Sequence, residues 1–173
     1  METTAIKLSE SGKKYFVKGD FENAIQSFSN AVKIYTEEEN FLDAAEAKNN
    51  LSVALLQAER AEESLEAVHG TDLVFAEAKD LLRQAMALGN QAAALDALGQ
   101  SDKALEKYAK SAALFGEIGE GDLEATVLKS MAAIKFRKGK LQDTANIMLE
   151  SLGATQKPNL FQRFLKFIMR IIQ

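Results

Sequence analysis

Few side chains in this sequence could do covalent or metal chemistry. The one histidine, His69, has no second imidazole with which to share a metal, and the sequence pairs it with no nucleophile. Cysteine is absent, which removes disulfides, thiol chemistry and zinc ribbons. The run Gly116-Glu117-Ile118-Gly119-Glu120-Gly121-Asp122 is glycine-rich like a phosphate cradle, but it holds three acids and no Lys-Ser/Thr follows it. It reads as a helix exit, with Asp122 capping the helix behind. Glu37-Glu38-Glu39-Asn40 lacks the alternating ligands and the glycine of a calcium loop and reads as a solvated corner. The expectation is no catalytic residue, no metal and no cofactor. What remains is binding through a surface.

The composition says which elements must build that surface. The chain has 173 residues, 47% of them apolar and 27% charged, which suits one folded unit or a short solenoid and excludes wholesale disorder. Ala, Leu, Glu, Lys and Gln dominate, and these lose least on entering a helix. Pro158 is the single proline, and no run alternates like a strand, so the chain is expected to be all-α. The first residues lack the apolar core of a signal peptide, and no segment approaches about 20 apolar residues. A cytoplasmic location is expected. The net charge is −4; residues 157–173 carry Lys157, Arg163, Lys166 and Arg170 without an acid, so removing their +4 leaves −8 for residues 1–156. An acidic body repels phosphate backbones, and nucleic acid is not expected as a partner.

Slid against itself, the sequence repeats at forty residues. One column reads Ala5, Ala45, Ala85, Ala125; a second reads Gly12, Ser52, Ala92, Ala132; a third reads Ala24, Ser64, Ala104, Thr144. Bulky columns lie between them, such as Phe28, Val68, Tyr108, Met148, and a turn column reads Gly19, Glu59, Gly99, Gly139. Small residues let two helices approach, and large neighbours fill the gaps beside them. Each unit reads as helix, turn, helix, with Asp20 and Ser101 capping second helices. One unit leaves an apolar face bare, so the units must stack. Two departures stand out. His69-Gly70-Thr71-Asp72 should stop a helix near His69 and restart it behind Thr71 or Asp72, and Lys135 stands where Tyr15, Leu55 and Leu95 stand elsewhere.

These residues carry a family resemblance. Gly12-Lys-Lys-Tyr15, Gly19-Asp-Phe21, Ala24-Ile25, Phe28 and Ala31 resemble a tetratricopeptide (TPR) repeat, as do Asn90 to Ala92 with Gly99, Ala104-Leu105 and Tyr108. The forty-residue spacing is similar to the extended variant of that family. The resemblance implies a right-handed superhelical α-α solenoid of four helix pairs over residues 3–152, in units of about 3–40, 41–80, 81–120 and 121–152. A linker, 153–159, and a C-terminal helix would follow. It also implies an adaptor that holds a partner peptide or helix in a concave groove along the first helices. An asparagine there often grips the ligand backbone, because an amide both donates and accepts. The matching column is Glu10, Asn50, Asn90, Ser130, with Lys13 and Asn49 expected on the same surface. The clamp that binds acidic chaperone tails needs Lys and Asn, then Asn, then Lys and Arg. Here the places hold Ser9 and Lys13, Asn50, and Met86 and Asn90, so only Asn50 fits. A peptide-sensing receptor subunit is the alternative from another class.

Beyond Pro158, residues 160–172 read as an amphipathic helix capped by Asn159. Arg163, Lys166 and Arg170 share one side; Leu160, Phe161, Phe164, Leu165, Phe167, Ile168, Met169, Ile171 and Ile172 sweep an arc of about 200°. Three roles compete for it: a cap on the last repeat, an interfacial helix giving a peripheral-membrane assembly factor, or a surface for self-association or a partner protein.

Overall fold

The computed structural model describes residues 4–155. They form nine helices: α1 (Thr4–Val17), α2 (Phe21–Glu37), α3 (Phe41–Gln57), α4 (Ala61–Val68), α5 (Thr71–Glu77), α6 (Leu81–Ala97), α7 (Ser101–Glu117), α8 (Gly121–Arg137) and α9 (Leu141–Ala154). From α2 onward, helices start every twenty residues, with α4 and α5 sharing one such step. Successive helices pack on one another, save that α4 and α5 both pack on α3 and α6 instead, giving an all-α right-handed solenoid of helix pairs. The expected helix 160–172 lies outside the described residues.

One turn recurs throughout and explains that regularity. Residues 19, 39, 59, 79, 99, 119 and 139 all have positive φ, between 56° and 77°. At each, the next residue's amide donates back to the carbonyl five residues earlier, as Asp20 does to Tyr15, Asn40 to Tyr35 and Asp80 to Phe75. This left-handed C-cap satisfies the helix's last carbonyls. The donating residue then serves as N-cap of the following helix, and the side chains of Asp20, Asn40 and Asp80 accept from the amides of Asn23, Asp43 and Arg83. Three residues thus end one helix and begin the next antiparallel to it.

The small columns form the helix crossings. Gly12 lies against Phe28 so closely that an added Cβ would sit 2.7 Å from the ring. Ser52 Oγ lies 2.9 Å from Ser64 Oγ, and the Ser64 hydroxyl can also donate to the Ser52 carbonyl at 2.9 Å. Ala92 and Ala104 are fully buried in the third pair. The largest cluster spans α6, α7 and α8 through Leu95, Tyr108, Phe115, Val127, Leu128 and Ile134.

Three expected caps differ. Helix α7 begins on Ser101 itself behind Gln100, and α8 begins on Gly121 behind Glu120; neither N-cap makes a side-chain bond. The break after Val68 falls where expected, but α5 restarts behind Gly70, at φ 76°, and not behind Thr71 or Asp72. Glycine takes the left-handed turn at no steric cost, which frees Thr71 to turn inward.

Candidate functional site

Turns of α1 and α3 leave a recess of about 240 Å³ between the first two units. Ile6, Ser9, Glu10 and Lys13 of α1 form one wall, Asp43, Glu46, Ala47 and Asn50 of α3 the other, with Tyr35 of α2 between them. A second recess of about 200 Å³ adjoins it, lined by Phe16, Val17, Phe28 and Val53. Lys13 and Asn50 border both. The first recess is lined mainly by charged and polar side chains, Asn50 among them, and the second mainly by apolar ones.

The same helical face continues along the solenoid. Positions 6, 10, 13 and 17 of the repeat fall on one stripe of each first helix, since three- and four-residue steps share a face. On α3 they are Glu46, Asn50, Val53 and Gln57; on α6, Met86, Asn90, Ala93 and Ala97; on α8, Thr126, Ser130, Ala133 and Arg137. All are exposed or half-buried. Asn50 and Asn90 are therefore equivalent rungs one repeat apart. Lys13 Nζ lies 3.1 Å from Glu10, an exposed pair of small energetic weight that a ligand could displace.

Asn49 is not part of this surface. It is 6% exposed, and its side-chain oxygen lies 2.9 Å from Thr71 Oγ1. Adjacent helical residues point about 100° apart, so with Asn50 facing out, Asn49 faces the second helix of its own unit. There it joins a polar lock around the α4–α5 break. The freed Val68 carbonyl accepts from Thr71 Oγ1 at 2.9 Å and from Gln91 Nε2 at 3.2 Å, and Gln91 also donates to Asp72 at 2.7 Å. Thr71 has one hydroxyl hydrogen for two acceptors. Turning the Asn49 amide so that its nitrogen faces Thr71 lets the amide donate in and the hydroxyl donate onward to Val68. Gln91 does not stand out as a site residue in the sequence. Its one signal there is a lone amide in a column otherwise reading Ser11, Leu51 and Met131, one repeat unit beyond a helix break.

Ion pairs link successive units. Arg83 of α6 reaches Glu46 of α3 at 3.0 Å while bonding Asp80 at 2.7 Å, and its guanidinium lies 5.3 Å from the Phe75 ring centre. Arg137 of α8 reaches Asp96 of α6 at 2.6 Å, and Lys138 reaches Asp102 at 2.6 Å. The Arg83 backbone amide, helped by its guanidinium, holds the Asp80 carboxyl below its ordinary range against the opposing effect of burial. Burial pushes the Tyr108 phenol above its ordinary value, with the Ser130 hydroxyl opposing. Lys135, the departure at the end of α8, is tied to Asp143 of α9 at 3.1 Å. Among the described residues, no three His, Asp or Glu side chains gather as a metal site, and no helix is long and apolar enough to cross a membrane.

The stacked helix pairs leave an open stripe along their first helices. The sequence matches the model of the soluble NSF attachment protein (SNAP) family over residues 2–156. The chain belongs to that family. No curated protein matches it. Among solved structures, this SNAP-family chain is similar to the nearly identical TPR-like repeats of a Podosopora anserina putative kinesin light chain, at 16% identity and TM-score 0.75, over 88% of this chain and 76% of that one. It is similar also to MamA from Desulfovibrio magneticus RS-1, at 18% identity and TM-score 0.68, over 87% of this chain and 75% of that one. Likeness at such identities establishes a TPR-like repeat fold.

Proposed function

We propose that this SNAP-family chain is a non-catalytic attachment scaffold of the cytoplasm that holds an extended or helical segment of a partner protein along its first helices. Its units follow the forty-residue, extended form of the TPR repeat. The observation that carries the reading is the meeting of Lys13 and Asn50 at the shared rim of two recesses, one polar and one apolar. Asn50 and Asn90 fix the ligand backbone, each amide supplying a donor and an acceptor, while Val17, Val53 and Phe28 take an apolar side chain. The family's name, attachment to NSF, supports a role in joining proteins.

A peptide array probed with purified protein tests this. Binding should fall by about tenfold or more in Asn50→Ala/Asn90→Ala, the loss of one or two well-placed hydrogen bonds. Lys33→Ala, on an exposed part of α2, should leave it unchanged. Binding that survives the double substitution removes the two asparagines from the site.

A further inference from the structure

Behind the break after Val68, α5 restarts at Thr71 and packs on α3 and α6. Between α5 and α7 remains a recess of about 350 Å³, with Gln84 and Leu88 of α6 among its lining. Neither of those residues belongs to the open stripe of the first helices. Asp72 stands on the α5 side of the recess, and Lys107, Lys110, Leu114 and Glu117 line it from α7.

The α7 wall changes character along its length. The two lysines come first, Leu114 next and Glu117 last, in steps of three or four residues that share one helix face. At 1.5 Å per residue, Glu117 lies about 10–15 Å along the helix from the lysines. Each ammonium has three donors, and neither is saturated. Lys107 Nζ lies 3.9 Å from Asp72, too far for a hydrogen bond, while Asp72 takes the Gln91 amide at 2.7 Å. Lys110 lies 2.8 Å from Glu106, but both side chains are largely exposed and such a pair is weak. Glu117 is exposed in the last turn of α7, where the helix dipole also favours an incoming cation. The pair of cations belongs to this unit alone. The places of Lys107 and Lys110 hold Ser27 and Asn30, Ala67 and Gly70, and Ile147 and Glu150 in the other units.

We propose that this recess is a second docking site, taking an extended segment of a partner protein in which an acid, an apolar residue and a base occupy alternate positions. Alternate residues of an extended chain point to one side, so the three side chains face α7 together. Four steps of extended chain cover about 13 Å, which matches the separation of the lysines from Glu117. The segment's carboxylate meets Lys107 and Lys110, its apolar side chain rests on Leu88 and Leu114, and its cation meets Glu117. The Gln84 amide can donate to the backbone between them or accept from it. This site shares no residue with the groove of Asn50 and Asn90 and does not depend on it.

Fluorescent peptides carrying Glu-Thr-Leu-Thr-Lys between neutral flanks, or its reverse, test the site by anisotropy with the full chain at low salt. Comparison peptides carry Glu-Thr-Leu-Thr-Glu, Lys-Thr-Leu-Thr-Lys or Glu-Thr-Ser-Thr-Lys. The tighter of the first two should bind about fivefold better than any comparison peptide. Lys110→Glu should shift the preference to Lys-Thr-Leu-Thr-Lys, and Glu117→Lys should shift it to Glu-Thr-Leu-Thr-Glu. Both positions are exposed, so neither variant disturbs the core. Asn50→Ala/Asn90→Ala should leave the wild-type ranking in place. Equal binding of all the peptides, a ranking indifferent to Lys110→Glu, or binding lost in Asn50→Ala/Asn90→Ala would overturn the site.

Discussion

Asn49 and Asn50 are the same residue type one position apart, with opposite roles. Asn50 looks into the recess beside Lys13, while Asn49 is buried against Thr71 and helps close the α4–α5 break. The repeat columns locate Asn50, because it recurs as Asn90. They could not locate Asn49, whose partner lies 22 residues away across a break whose geometry is set by Gly70. Losing the Thr71 hydroxyl leaves a buried amide short of a partner, which costs about 1–3 kcal/mol. Thr71→Val should therefore lower the urea midpoint by that equivalent, with the slope of the transition unchanged. Asn49→Leu/Thr71→Val should cost less than the sum of its single substitutions, because removing both partners leaves no orphan. Additive costs would show that the two side chains do not act as a pair.

At the scale of the element, the solenoid is a single turn used repeatedly. Glycine marks four of its positions, Gly19, Gly99, Gly119 and Gly139, and residue type alone makes these legible as turns. Glu39, Glu59 and Lys79 take the same left-handed conformation without a glycine to announce it. What can be read there is the flanking pattern, an apolar residue at 35, 55 or 75 and a polar one at 40, 60 or 80, since those two close the backbone bond across the turn. The caps at Gln100 and Glu120 escape a sequence reading for the opposite reason. The good capping residues Ser101 and Asp122 sit one and two places too late, and the twenty-residue backbone rhythm overrides side-chain preference there. A non-glycine residue held left-handed costs about 1–2 kcal/mol, part of which glycine returns as unfolded-state entropy. The Glu59 side chain stands at an open corner and takes no part in the ion pairs that link the units, so Glu59→Gly should raise the melting temperature by about 1–3 °C. Gly99→Glu, the reverse exchange at an equivalent turn, should lower it by a similar amount. Shifts of the same sign in both would mean that φ is not the controlling variable.

For the whole molecule, stacking makes stability nearly a sum over neighbours, so damage should stay local. The largest core cluster ties α6, α7 and α8 together, while α1, α2 and α3 share clusters of their own around Tyr35 and Phe28. Phe115 is 3% exposed and fills the junction between α7 and α8. Truncating a buried phenylalanine costs about 3–5 kcal/mol, enough to loosen one junction of a solenoid without unfolding the rest. Phe115→Ala should therefore accelerate amide exchange across α7, α8 and α9 while α1 to α3 keep their protection, and the denaturation curve should broaden into two steps. Ion pairs such as Arg137–Asp96 and Lys138–Asp102 join the same units, but they are largely exposed and worth too little to hold the junction alone. A uniform rise in exchange along the chain, with one sharp transition, would mean the four pairs fold as one cooperative body. The stripe carrying Asn50 and Asn90 would then be rigid across units, a preformed surface for its partner, whereas a two-step transition lets the recess at Lys13 and Asn50 stay intact while the far end opens.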